Sequence, residues 1–313
     1  MPRTALIAAA ILLALALPAR AAEKVTVMLD WFVNPDHAPL FVALEKGYFA
    51  DAGLDVELIA PADPNDPPKL VAAGKADLAV SYQPQLHVQV AAGLPLMRVG
   101  TLVATPLNAL VVAGDGPVQS IADLKGAKIG FSVGGFEDAL LRAMLATAGL
   151  SLDDITLVNV NFSLSPSLLS GQVDAVIGAF RNFELNQMDI VGAPGRAFYP
   201  EENGVPPYDE LILIAHKDRR GDSAIAGFVR AVERGTQFLV NHPEESWRLF
   251  IKGDRATLDD ELNRRAWRDT LPRFALRPAA LDEGRYAAFA AFLVDQGLID
   301  SAPAVAIYAV EPR

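Results

Sequence analysis

Two stretches of this 313-residue chain carry the same punctuation almost one hundred positions apart, and any fold for it has to satisfy both copies. The run Tyr48-Phe49-Ala50-Asp51-Ala52-Gly53-Leu54-Asp55-Val56 is echoed by Met144-Leu145-Ala146-Thr147-Ala148-Gly149-Leu150-Ser151-Leu152, and residues 70–80 are echoed by 167–177. Gly53 and Gly149 lie 96 positions apart; Gly74 and Gly171 lie 97 apart. In each Ala-Gly-Leu the glycine suits the left-handed residue that ends a helix, and the leucine covers the helix end. In each Gly-x-x-Asp a second helix stops and a buried strand starts, over 78–80 and 175–177. Either the common helix–glycine–strand punctuation of α/β chains recurs by coincidence, or one βαβ plan is built twice. The near-constant offset favours two related lobes.

Apolar runs over 25–29, 56–60, 78–81, 97–103, 109–113, 128–131, 156–160, 175–178 and 211–215 read as strands. Helices alternate with them, which predicts an α/β chain with a mostly parallel sheet in each lobe. Beyond Ala215 the pattern turns helical: Ile225, Phe228, Val229, Val232 and Leu239 keep one helical face. Pro243 suits the first turn of the next helix, and Thr257-Leu258-Asp259-Asp260 resembles a capping box with Asp in place of Glu. Gly297 closes the last long helix. The economical layout puts lobe 1 over 24–108 and 210–313, with the helical tail packed on it, and lobe 2 over 109–209. Crossings near Pro106-Leu107-Asn108 and Val205-Pro206-Pro207-Tyr208 then form the hinge.

Met1-Pro2-Arg3, an apolar run over 5–17 and Pro18-Ala19-Arg20-Ala21-Ala22 read as a secretory signal peptide over 1–21, cleaved after Ala21. The run is shorter than the roughly 20 apolar residues that span a bilayer, so a membrane-embedded protein is not expected. The chain has no cysteine, which removes a lipid anchor, thiolate catalysis and Cys-based metal sites. A net charge of −11 without a basic cluster argues against nucleic-acid binding.

Ligands in open α/β sheets sit where strand ends meet helix starts. Four such ends are expected to face one cleft: Asp30-Trp31-Phe32-Val33-Asn34, Ser81-Tyr82-Gln83-Pro84-Gln85, Ser132-Val133-Gly134-Gly135-Phe136-Glu137, and Ala179-Phe180-Arg181-Asn182-Phe183-Glu184. Each mixes aromatic and polar groups, as small-molecule pockets do. Trp31 offers a stacking face or fills core; Asp30 accepts from a ligand or caps the next helix. Tyr82 and Gln83 precede Pro84 and serve either a turn or a ligand. Gly134-Gly135-Phe136 opens a helix whose free N–H groups suit anions, but Glu137 opposes a negative ligand. Arg181 holds an acid group, or pairs with Glu184 or Asp30. Several carboxylates against one arginine favour a ligand rich in hydrogen-bond donors. His37 at a helix start reads as structural, and the four histidines show no metal spacing. No nucleophile elbow, phosphate loop or dinucleotide fingerprint is present.

Residues 29–58, with Asp30-Trp31 and Glu45-Lys46-Gly47-Tyr48-Phe49, then 61–66, 70–96, 125–131 and 173–184, resemble the family that unites bacterial thiamine-pyrimidine-binding proteins with fungal thiamine-pyrimidine synthases. The resemblance implies a two-lobed, type II periplasmic binding-protein fold that closes on its ligand. It implies that Trp31 stacks on the pyrimidine, that Asp30 and Glu184 match polar positions near it, and that Tyr82 and residues 134–137 line the cleft. Asn34, Gln83, Phe180, Arg181 and Asn182 complete the expected ligand set. The bacterial members deliver a formylated aminomethylpyrimidine to an ABC permease. The fungal enzymes consume their own histidine and pyridoxal phosphate; they carry a lysine and a histidine on the segment matching 81–85, and a cysteine-rich iron motif. Ser81 and Gln85 stand there in this chain, so a non-enzymatic protein without cofactor or metal is expected. The expectation is a monomeric periplasmic solute-binding component of an ABC importer for formylaminopyrimidine or hydroxymethylpyrimidine. Riboflavin, or taurine and other sulfonates, are the ligands of sister groups and the alternatives; a pyrimidine synthase is a more distant one.

Overall fold

The computed structural model describes residues 21–313; the expected signal segment over 1–21 falls, but for Ala21, outside the described residues. Strands β1 (Glu23–Met28), β2 (Leu54–Ile59), β3 (Leu78–Ser81) and β4 (Leu96–Val103) belong to one sheet. Strands β5 (Asn108–Ala113), β6 (Lys128–Phe131), β7 (Thr156–Asn159), β8 (Ala175–Phe180) and β9 (Gly195–Phe198) form a second, and β10 (Leu211–His216) returns to the first. The orders are β2-β1-β3-β10-β4 and β7-β6-β8-β5-β9. They are one plan: β1, β2, β3 and β4 correspond to β6, β7, β8 and β9, and each sheet takes its remaining strand from a crossing between the lobes. All four repeat glycines, Gly53, Gly149, Gly74 and Gly171, have φ between 66° and 75°, the left-handed geometry that the echo predicts.

The sheets are mixed rather than mostly parallel in their pairing. β1 pairs parallel with β2 and β3, whereas β10 runs antiparallel to both β3 and β4. Likewise β5 runs antiparallel to β8 and β9. A strand arriving from the other lobe enters from the opposite end, so it runs against the four strands that the βα units lay down. β9 was not among the expected strands: Gly195-Arg196-Ala197-Phe198 is short and not apolar, and only its ladder to β5 makes it a strand.

In lobe 1 the connections are α1 (Ala38–Glu45) and α2 (Tyr48–Asp51), then α3 (Pro67–Ala72), then α4 (Gln83–Ala91). In lobe 2 they are α5 (Glu137–Ala146), α6 (Leu164–Leu169) and α7 (Glu184–Ile190). The tail adds α8 (Ser223–Asn241), α9 (Pro243–Phe250), α10 (Glu261–Thr270), α11 (Glu283–Asp295) and α12 (Val305–Tyr308). The cap of α10 is Asp260, whose carboxylate accepts from Asn263 N–H at 2.8 Å, rather than Thr257.

One apolar cluster runs through both lobes and includes the crossing residues Leu107, Val205 and Tyr208. Glu210 ties the crossings together, accepting from the N–H groups of Leu107 (2.6 Å) and Asn108 (2.9 Å). Fully buried Arg98 pins the tail to β4, donating to the carbonyls of Pro278, Ala279, Ala280 and Val310. Helix α8 lies against α1 so closely that a Cβ on Gly235 would sit 2.6 Å from the Pro39 carbonyl oxygen. Gly235→Val should therefore lower unfolding stability by about 1–3 kcal/mol, the usual cost of overpacking, read as a lower urea midpoint at unchanged slope.

Candidate functional site

The chain turns sharply after β1. Asn34 adopts an extended backbone and its Oδ1 accepts from Asp36 N–H at 2.8 Å, capping the short 3-10 turn Pro35–His37. Asn34, not Asp30, is thus the cap at this strand end. The His37 ring folds back beneath it. Its Nδ1 accepts the N–H of Asn34 (3.3 Å) and a backbone N–H can only donate, so Nε2 carries the ring proton and donates to Asp30 Oδ1 at 2.8 Å. At the start of α4, the Tyr82 hydroxyl donates to Asp30 Oδ2 at 2.8 Å. Both oxygens of Asp30 are engaged within lobe 1, which makes it an organiser of the site.

Lobe 2 presents its acids differently. Glu137 and Glu184 each occupy the first position of a helix and turn back onto the preceding strand end. Glu137 Oε2 accepts from the N–H groups of Ser132 (2.8 Å) and Val133 (3.1 Å); Glu184 Oε2 accepts from Phe180 N–H (2.7 Å). Among the described residues the second oxygen of each receives no protein hydrogen bond. Gly178, at φ +95°, makes room for this arrangement: a Cβ there would lie 2.3 Å from Glu137 Oε1. Burial pushes the Glu137 carboxyl up to about 8 against the opposing pull of the Ser132 and Val133 N–H groups. Burial likewise raises Glu184 to about 7, and Asp36 to about 6 despite its bond from Thr270.

These groups surround one cavity between the lobes, about 400 Å³ of space with its mouth included. Asp30, Trp31, Asn34, Asp36 and Tyr82 line it from lobe 1; Glu137, Leu164, Gly178, Phe180, Phe183 and Glu184 line it from lobe 2. No lysine or arginine is among these residues. Trp31 meets Phe162 of lobe 2 edge-on, with ring centroids 4.5 Å apart, and Tyr82 stacks on Phe136 at 4.9 Å.

Seven of the expected residues therefore share the cavity wall, and six do not. Gln83 turns away, accepting from Asp209 N–H at 2.8 Å while its amide nitrogen lies 3.3 Å from His87 Nε2. Gly134 and Gly135 are exposed, bonded to Asn65 and Asp138. Phe136 is buried behind Tyr82. Arg181 faces the hinge: it forks onto Glu201 (2.7 and 3.0 Å), covers the Tyr199 ring and donates to the carbonyls of Leu107 and Asn108. Its partner is neither Glu184 nor Asp30. Asn182 donates to Asp36 and Thr270. Phe183 lies on one of the expected strand ends and reaches the wall, whereas Asp36, Leu164, Gly178 and the Trp31 neighbour Phe162 were not anticipated. Phe162 and Leu164 follow β7, whose end faces the same side as those of β6 and β8, so the repeat itself carried the signal for them.

The pH dependence of stability follows from the buried acids. A carboxyl whose pKa is higher in the folded than in the unfolded state stabilises fully below its unfolded value, and that contribution is lost as pH rises through the folded value. Glu137 near 8, with Glu184 and the hinge residue Glu210 near 7, should make stability fall between pH 7 and 9 by about 1 kcal/mol per pH unit. His87, held down to about 3 by burial, acts in the opposite sense only below its ordinary range, outside this window. Glu137→Gln should flatten the slope in urea titrations at pH 7, 8 and 9.

The family model described as NMT1/THI5 like matches residues 34–246. A Haemophilus influenzae protein named for thiamine biosynthesis is 56% identical over 299 residues, covering 96% of this chain and 95% of that one. The formylaminopyrimidine-binding protein of Halalkalibacterium halodurans is 37% identical over 245 residues, 78% of this chain and 73% of the relative. Among solved structures, the alkanesulfonate-binding protein SsuA from Xanthomonas axonopodis pv. citri superposes with a TM-score of 0.71 at 19% identity, covering 93% of this chain and 99% of that one. That likeness is one of fold: two α/β lobes in the manner of periplasmic binding proteins, an architecture that together with these relatives supports a solute-binding role. On the span of the family match and on both relatives, the chain belongs to the NMT1/THI5-like family.

Proposed function

We propose that this protein is the exported solute-binding component of an ABC importer, and that its cavity takes a thiamine-related aminopyrimidine such as formylaminopyrimidine or hydroxymethylpyrimidine. The observation that carries the reading is the pair Glu137 and Glu184, each offering one free carboxyl oxygen to a cavity walled by Trp31 and lined by no lysine or arginine. An aminopyrimidine edge alternates an exocyclic amine that donates with ring nitrogens that accept. A carboxyl whose pKa lies near neutrality matches either, as an anion or as a neutral acid. The name of the Halalkalibacterium halodurans relative agrees with this ligand class.

Two of the alternatives fit the same walls less well. A sulfonate would face four carboxyl groups and no cationic side chain. The fungal-type enzyme needs a lysine and a histidine where this chain has Ser81 and Gln85, which are buried and bonded to each other at 2.8 Å.

Calorimetric titration of the purified mature protein with formylaminopyrimidine, riboflavin and taurine in parallel tests the assignment. Micromolar or tighter binding of the pyrimidine alone is expected. Trp31→Ala should weaken it by about 1–3 kcal/mol, the usual worth of an aromatic stack on a heterocycle, at unchanged melting temperature. Wild-type affinity in that variant would overturn the stacking role. Binding of riboflavin or taurine instead would move the ligand class, and silence from all three would remove it.

A further inference from the structure

One residue that the ligand set loses ties lobe 2 to both lobe 1 and the tail. Asn182 lies on the turn between β8 and α7 in lobe 2 and is 1% exposed. Its amide nitrogen donates to Asp36 Oδ1 of lobe 1 at 2.6 Å and to Thr270 Oγ1, at the end of α10 in the tail, at 2.7 Å. Thr270 closes the triangle, donating to the same Asp36 oxygen at 2.7 Å. The contact continues outward along the two helices: Asn186 donates to Asp269 at 2.7 Å, and Arg265 pairs with Asp189. Asn186 and Asp189 lie on one face of α7, just beyond Asn182, as Arg265 and Asp269 lie on one face of α10. Each of these links is polar, and the outer ones are open to solvent, so water can replace them when the lobes part.

We infer that Asn182 and the facing edges of α7 and α10 form a latch that holds the lobes closed over the occupied cavity. Asn182 is a positioning residue in this scheme and touches no ligand. Two residues after it comes Glu184, which offers its free oxygen to the cavity; across the triangle stands Asp36, also on the cavity wall. A solute held between Glu184 and Asp36 therefore draws together the two segments that Asn182 joins. Filling the cavity and fastening the latch become one cooperative event. This rests on the solute-binding reading above for its purpose, but the latch itself can be measured without any ligand.

The absence of cysteine makes the measurement clean. Lys69→Cys in lobe 1 and Lys125→Cys in lobe 2, both at well-exposed side chains, take a spin-label pair for pulsed-EPR distances with and without formylaminopyrimidine. Asn182→Ala should enlarge the long-distance, open population several-fold. Asn182→Asp should enlarge it further, because it turns a carboxylate onto Asp36. A mere packing role predicts the reverse order, since Asp is nearly isosteric with Asn. Pyrimidine dissociation should quicken about tenfold in Asn182→Ala with association little changed. Arg265→Ala, at the solvent-facing end, should shift the distances the same way by less, and keeps the test open if the buried variants fail to fold. Unchanged distances in the folded variants overturn the latch even if the pyrimidine binds. An opened clamp in a protein that ignores the pyrimidine upholds the latch and removes the ligand assignment.

Discussion

Four carboxyl groups facing one small cavity with no ammonium or guanidinium group in its wall is the condition that the rest of the site is built to meet. An unpaired buried acid costs several kcal/mol, so each has been given partners, and each partner fixes a piece of backbone. The imidazole of His37 and the phenol of Tyr82 hold Asp30, which sets the turn after β1 relative to the start of α4. Backbone N–H groups hold Glu137 and Glu184, which sets the angle at which α5 and α7 leave their strands. Asp36 is held from the other lobe and from the tail together. Satisfying the acids and positioning the elements are the same set of bonds.

The two lobes share a plan and divide the work. Lobe 1 supplies the indole, Asp30 with both oxygens engaged, and Asp36; lobe 2 supplies Glu137 and Glu184, each with an oxygen to spare. Aromatic rings from both lobes meet beside the gap, Trp31 against Phe162 at one edge, with Phe136 buried behind Tyr82 at another. A flat heterocycle entering it would exchange ring–ring contacts for its own faces, losing little packing and gaining hydrogen bonds that the rings cannot make.

What the residue pattern revealed was whatever is local. Buried runs such as 97–103, echoed glycines and helix stops are written in adjacent residues, and nine of the ten strands follow from them. β9 is not, because Gly195-Arg196-Ala197-Phe198 becomes a strand only by pairing with β5. The direction of β5 and β10 was hidden for a related reason: it depends on which lobe the chain has just left. At the site, strand ends located the cavity, and Trp31, Tyr82, Glu137 and Glu184 all reached its wall. Arg181 and Asn182 did not, since their partners Glu201 and Thr270 lie 20 and 88 positions away, beyond any local pattern. Asp36 escaped notice for the converse reason, its sequence surroundings being those of an ordinary turn.

The place of β10 has a temporal side. β3 and β4 are successive strands, yet they do not touch; β10, from residues 211–216, stands between them. The second sheet draws all its strands from one uninterrupted stretch, 108–198, whereas the first stays split until the chain has passed through the second and come back. Long-range pairing of this kind is slow to form. As the chain is made, the leading half emerges with a gap in its own sheet and waits, while the later-made middle has everything needed to consolidate. The half made first is finished last, so the stability of the leading sheet is set by a strand made after the whole of the second sheet.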